Sequence, residues 1–124
     1  MKILVVDDER DVEALFRQRF RRELRAGEVD FKFVFSAEEA LEYLRQLSPF
    51  DLVLVLSDIN MPGMTGLELL KIVKDQFPHL RVFMISAYGD DHNYNTAKTF
   101  GADDFVTKPV DFTNLRDKIL SLKK

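Results

Sequence analysis

The sequence predicts an α/β domain built on a doubly wound, five-stranded parallel sheet with five helices covering its two faces. Two observations predict it. Apolar runs of strand length alternate with segments of helical period five times in 124 residues, the pattern of repeated βα units with right-handed crossovers. The third run, Leu52-Val53-Leu54-Val55-Leu56, is apolar throughout, as a strand covered by helices on both faces must be.

Strands are expected near 2–6, 31–35, 52–57, 81–86 and 104–107. After the first, Val12, Leu15, Phe16, Phe20 and Leu24 fall on one helical stripe. The second strand, Phe31-Lys32-Phe33-Val34-Phe35, is short and carries a lysine, which suits a sheet edge. Ser36-Ala37-Glu38-Glu39 opens the second helix; the spacing is that of a capping box, in which Ser36 and Glu39 satisfy each other's end of the helix. Its stripe is Ala40, Leu41, Leu44 and Leu47. The third helix runs from Thr65-Gly66, with Glu68 again at capping spacing, through Leu67, Leu70, Val73 and Phe77. The fourth, about 91–100, is polar, and only Tyr94, Ala97 and Phe100 are spaced to pack. The fifth starts near Asp111 and carries Phe112, Leu115, Ile119 and Leu122.

This length makes one domain, residues 1–124, large enough to bury a core without staples. The absence of cysteine excludes disulfide and thiol chemistry. No run approaches the length of a membrane span, and the first apolar run is too short for a signal peptide. A cytoplasmic protein is expected. A net charge of −3 speaks against a surface that binds nucleic acid or membrane directly.

The ends of the runs carry the chemistry. Val6 is followed by Asp7-Asp8, Leu56 by Ser57-Asp58, Ile85 by Ser86, and Phe105-Val106-Thr107 by Lys108-Pro109. In open α/β sheets, ligands bind outside the carboxyl ends of the strands, at the switch point. Parallel strands would therefore bring three carboxylates, a hydroxyl and an ammonium to one edge. Any one Asp at a loop start is ordinary. The set is suited to a divalent cation and a phosphoryl group, because clustered carboxylates repel and a hard cation relieves them.

These segments also resemble a known family. Ile3-Leu4-Val5-Val6-Asp7-Asp8-Glu9, Leu54 through Gly66 with Ser57-Asp58-Ile59-Asn60-Met61-Pro62-Gly63, Met84-Ile85-Ser86-Ala87, and Gly101 through Pro109 look like the motifs of response regulator receiver domains of two-component systems, in family order and spacing. The resemblance covers essentially the whole chain. It implies a flavodoxin-like sheet of order 2-1-3-4-5. Asp58 would be the phosphoacceptor, a carboxylate nucleophile. Asp8, Asp58 and the Asn60 backbone carbonyl would ligate Mg²⁺, with Asp7 acting through a bound water. Lys108 would pair with phosphoryl oxygens, Ser86 would donate its hydroxyl to one of them, and the Lys108-Pro109 bond would be cis. The partners implied are a sensor histidine kinase or phosphotransfer protein as donor, and an output partner or an effector domain outside this chain.

The resemblance further implies self-phosphotransfer and autodephosphorylation, not catalysis on a separate substrate. Ser86 and Phe105 would form the switch that alters the face of the fourth helix, fifth strand and fifth helix. A homodimer through that face fits the same pattern. Asn60 and Tyr88 would tune phosphoryl lifetime.

Rival readings leave different marks. A haloacid-dehalogenase-type phosphohydrolase has a second acid two residues after its nucleophile, where this chain has Asn60. A flavin-binding module would have a Ser/Thr/Gly-rich loop, and a dinucleotide fold would have glycines, where this chain has Asp7-Asp8-Glu9-Arg10. A degenerate receiver serving only as an interaction module would not need the full set Asp7, Asp8, Asp58, Ser86 and Lys108. Arg17, Arg19, Arg21, Arg22 and Arg25 make the first helix basic; such runs are usually solvated faces, and the resemblance adds kinase docking as an alternative. His79 and His92 have no ligand partner at metal-binding spacing.

Overall fold

A computed structural model describes residues 1–46, 54–87 and 89–123. The strands are β1 (Lys2–Val6), β2 (Asp30–Val34), β3 (Leu54–Asp58), β4 (Arg81–Ala87) and β5 (Asp104–Lys108). The helices are α1 (Asp11–Arg19), α2 (Arg21–Arg25), α3 (Ala37–Gln46), α4 (Gly66–Gln76), α5 (Asp91–Thr99) and α6 (Phe112–Leu120), with a 3₁₀ turn at Ser121–Lys123.

All pairings are parallel and the sheet order is β2-β1-β3-β4-β5, so the lysine-bearing strand β2 lies at an edge as expected. The order reverses between β1 and β3, which makes that crevice the switch point. Successive side chains of a strand point to opposite faces, and the core divides accordingly. Leu4, Val6, Val55, Val82 and Met84 pack with α3, α4 and α5 on one face. Ile3, Val5, Leu56, Phe83 and Ile85 pack with α1 and α6 on the other.

That second face is rich in phenylalanine. The Phe16 ring lies 5.9 Å from Phe20, 5.7 Å from Phe31 and 5.3 Å from Phe112, mostly edge to face, an arrangement aromatic quadrupoles favour.

Three expectations are corrected. Among the described residues six helices stand where five were expected, because the first is interrupted at Phe20, whose φ and ψ of −105° and 20° leave the helical basin. No Gly or Pro causes the break. Phe20 is fully buried in the aromatic cluster and Glu23 is drawn inward to Arg116, so tertiary packing overrides a continuous helical period. Leu15, expected on the packed stripe, is 40% exposed. The Ser36–Glu39 capping box is only half formed. Ser36 Oγ accepts from the Glu39 N–H at 3.1 Å, but the Glu39 carboxylate accepts from Phe35 N–H at 2.9 Å, since pairing to β1 stops at Val34 and leaves that donor free of the ladder. The expected Leu47, Leu52 and Val53 positions lie outside the described residues.

Candidate functional site

The switch-point crevice gathers the acids from β1 and β3. β1 ends at Val6, and the chain turns as the Asp7 N–H donates to the Val34 carbonyl at 3.2 Å and Asp7 Oδ1 accepts from the Glu9 N–H at 2.9 Å. This turn brings adjacent residues, which a strand would point apart, to one place. Asp7 is buried and Asp8 exposed. Asp58 is the last residue of β3, paired with Ile85 of β4, and is 4% exposed. One carboxylate oxygen each from Asp7, Asp8 and Asp58 lies within 4.8 Å of the others.

Lys108 closes the site from β5. Its Nζ donates to Asp58 Oδ2 at 3.1 Å. The Lys108-Pro109 bond is cis, as the resemblance implied. Ser86 is buried on β4, one residue beyond the partner of Asp58. Asn60 is exposed in the loop after β3, and Tyr88 lies outside the described residues. Phe105 is half-buried on β5, its ring centroid 4.3 Å from that of Tyr94 on α5.

The electrostatics are those of a site short of positive charge. Burial pushes the Asp7 carboxyl up from 3.8 to about 6; the Glu9 N–H opposes this, and the nearby Asp58 carboxylate adds to it. Burial alone would lower the Lys108 ammonium, but the hydrogen bond and charge of Asp58, with Asp7 and Glu9 behind it, hold it above its ordinary value. Three carboxylates face one ammonium. Hard oxygen donors converging on a partly open crevice fit Mg²⁺, which takes one or two carboxylates directly and keeps waters and phosphate oxygens.

Two positioning features were not anticipated from sequence. Gly66 begins α4 against the end of β3, with its N–H donating to the Ile59 carbonyl at 2.8 Å. A Cβ there would lie 2.0 Å from the Asp58 carbonyl oxygen and 2.8 Å from the Ile59 Cα, so only glycine allows the approach. Glu38 of α3 reaches the same loop, its Oε1 accepting from the Met64 N–H at 3.1 Å and lying 3.3 Å from where a Cβ on Gly63 would be. A glycine at a helix start and a glutamate after a strand are the only sequence signals, and both are common without such roles.

The family model for the response regulator receiver domain matches residues 3–120. Response regulator protein FleR of Pseudomonas aeruginosa is 36% identical over 118 residues, which is 95% of this chain and 24% of FleR. Sporulation initiation phosphotransferase F of Bacillus subtilis is 34% identical, over 95% of this chain and 90% of that protein. The chain thus spans about a quarter of FleR and of PilR (24% and 25%). The receiver domain of NtrX from Brucella abortus superposes with a TM-score of 0.81 at 34% identity, covering 97% of this chain and 96% of that one. Receiver domains generally bind Mg²⁺ through acidic residues of this kind and interact with kinases and output domains. No helix among the described residues is long and apolar enough to cross a membrane. The match runs from the first strand to the last helix and takes in every strand end of the crevice, so this chain belongs to the response regulator receiver domains.

Proposed function

We propose that this chain is the phosphoacceptor of a cytoplasmic two-component relay. Asp58 takes a phosphoryl group from a phosphohistidine of a sensor kinase or phosphotransfer protein, and the face of α5, β5 and α6 then changes to control an output partner or domain. One observation carries the reading: a buried carboxylate at the end of the central strand is paired to Lys108 at 3.1 Å and clustered with two further acids.

The chemistry balances simply. An Asp58 carboxylate oxygen attacks phosphorus, the P–N bond to the donor imidazole breaks, and the imidazole leaves with the bond's electrons and takes up a proton. Lys108 follows the phosphoryl oxygens as a point charge, and Ser86 donates its hydroxyl to one of them. Asp8, Asp58 and the Asn60 carbonyl would hold Mg²⁺, with Asp7 acting through a bound water. When bound, the ion supplies charge neutralisation of the kind phosphoryl transfer depends on. Water attacking the same phosphorus later breaks the Asp58 O–P bond and restores the carboxylate. The chain acts only on itself and is not an enzyme with a separate substrate. By the resemblance, Asn60 and Tyr88 would tune how long the phosphoryl group survives that water.

The donor's approach has a physical counterpart. A groove of about 570 Å³ opens beside Asp7 and Lys108, between α1 and the loop before α6, with Val12, Leu15, Phe16, Val110 and Phe112 among its walls. The exposed Leu15 gives an incoming helix an apolar contact next to the acceptor.

Incubation with acetyl phosphate and Mg²⁺ is expected to add the mass of one phosphoryl group, and Asp58→Asn to abolish the gain. An unmodified parent chain would sink the reading.

A further inference from the structure

The break at Phe20 builds a second site. With Phe20 pulled fully into the core, its neighbours on both sides face outward: Gln18, Arg19, Arg21 and Arg22 are exposed. Together with Glu23 and Arg116 of α6 they line a crevice of about 300 Å³.

One wall is fixed. The Glu23 carboxylate, 7% exposed, lies 3.2 Å from Arg116 Nε. Arg116 also donates to the Arg19 carbonyl at 2.6 Å, and its guanidinium lies over the Phe20 ring at 5.3 Å. The remaining guanidiniums are not neutralised. Arg19 rests over the Phe112 ring at 5.5 Å, and the side chains of Arg21 and Arg22 make no hydrogen bond, ion pair or ring contact among the described residues. Four guanidiniums against one carboxylate leave the crevice at +3 in a chain of net −3.

Guanidinium groups stay charged at any working pH, and each presents a planar fork that grips two oxygens of a phosphate. Gathered in one concavity they repel one another, and an anion with several oxygens on two centres relieves them all. A diphosphate group offers that geometry and carries about as much negative charge as the crevice carries positive. The volume sits at the lower end of small-molecule sites, which run from roughly 300 to 1,000 Å³. It seats a diphosphate and leaves any larger appendage outside.

We propose that this crevice binds a diphosphate group, free as pyrophosphate or carried by a nucleotide, held by Arg19, Arg21 and Arg22 against the Arg116 wall. The site uses no residue of the acceptor crevice and does not depend on the phosphoacceptor reading. Arg19 also lines the groove that leads to Asp7 and Lys108, so occupancy is felt at the donor-facing surface.

The test is a Mg²⁺-free NMR titration of the full chain with pyrophosphate, with ADP and with inorganic phosphate, at two salt concentrations. Expected are saturable amide shifts centred on residues 18–23 and 116, weaker at high salt. The double variant Arg21→Gln/Arg22→Gln, which leaves the Glu23–Arg116 pair intact, should weaken pyrophosphate about tenfold or more. Tighter pyrophosphate assigns the free diphosphate, and equal or tighter ADP shows that a nucleotide can carry it; both support the site. Shifts that do not saturate, that centre on Asp7, Asp58 and Lys108, or that survive the double variant overturn it. So does tighter binding of a poly-glutamate peptide, which would make the crevice a protein-docking surface.

Discussion

α4 and α5 follow the strands that carry Asp58 and Ser86, yet they are held to the sheet very differently. α4 buries Gly66, Leu69, Leu70 and Val73, and its N-terminus is closed by a reciprocal capping box between Thr65 and Glu68. α5 buries only Ala97 and has a one-way cap, Asp90 accepting from the Asn93 N–H at 3.3 Å. A fully buried Leu or Val stabilises by roughly 1.5–3 kcal/mol, so α4 is anchored by several kcal/mol that α5 lacks. Local stability follows buried contacts. The proposed acceptor, Asp58, therefore hangs from the stiff side of the domain, where a nucleophile would have to stay in line. The expected readout lies on the side that yields at little cost.

The stiff side should break hardest at Gly66. Gly66→Ala places a methyl against backbone atoms of Asp58 and Ile59, not against a side-chain end that can swing away. Urea denaturation should show a loss of roughly 3 kcal/mol or more, with acetyl-phosphate labelling of Asp58 lost in any folded remainder. A loss under about 1 kcal/mol would mean that the loop after β3 is soft, and the contrast with α5 would fail.

Asp7 tests the same side through pH. Its carboxyl titrates at about 6 in the folded chain against an ordinary 3.8, so between these values the folded state holds a proton that the unfolded state releases. Stability then falls as pH rises through that window, by up to roughly 3 kcal/mol. Below the unfolded value the cost is absent, and above the folded value it is complete. Without divalent cation, Asp7→Asn should be the more stable protein at pH 7–8, and its advantage should vanish toward the bottom of that window. Denaturation curves across the window check this; a difference independent of pH would refute the burial effect.

What could be read in the sequence follows from what is local in it. β1, β3 and β4 announce themselves because a strand buried on two faces has to be apolar, and Asp7, Asp58 and Ser86 because they end such runs. Lys108 was legible as a strand-end cation, but its partner was not: the sheet order puts β5 two strands from β3, and the long lysine side chain spans the gap to Asp58. The Phe20 break was invisible, since the apolar period of 12, 16, 20 and 24 continues through it and only the surrounding rings bend the chain. Glu38 was read as part of a helix start. Its bond to Met64 spans 26 residues, and no local pattern reports a contact of that range.

The caps sharpen the contrast at smaller cost. Replacing an N-cap by alanine typically costs about 1 kcal/mol. Thr65→Ala should show that loss in global unfolding, because α4 opens only with the core. Asp90→Ala should leave the global midpoint nearly unchanged and appear as faster amide exchange within 91–99. Equal global losses from both would show α5 to be as tightly coupled to the core as α4.

The smallest effect on stability, and the most specific, is expected at Tyr94. Its side chain is 42% exposed, and its main contact is the Phe105 ring at 4.3 Å. Such a pair contributes roughly 0.5–1.5 kcal/mol when well packed, and exposure puts Tyr94→Ala at the low end. The larger consequence is positional. Phe105 lacks a hydroxyl to hold an outward or inward position, so packing alone sets it, and Tyr94 supplies the packing from the weakly anchored helix. Lys118 grips the other side of the strand, its Nζ donating to Asp104 Oδ1 at 2.8 Å and to the Phe105 carbonyl at 3.3 Å, so the backbone stays while the ring is freed. Tyr94→Ala should therefore broaden or shift the Phe105 ring resonances and speed exchange in α5, leaving the amides of β3 and α4 unmoved. If the disturbance reaches Asp58 and α4 instead, the two sides are one rigid unit, and phosphorylation would have to move them together.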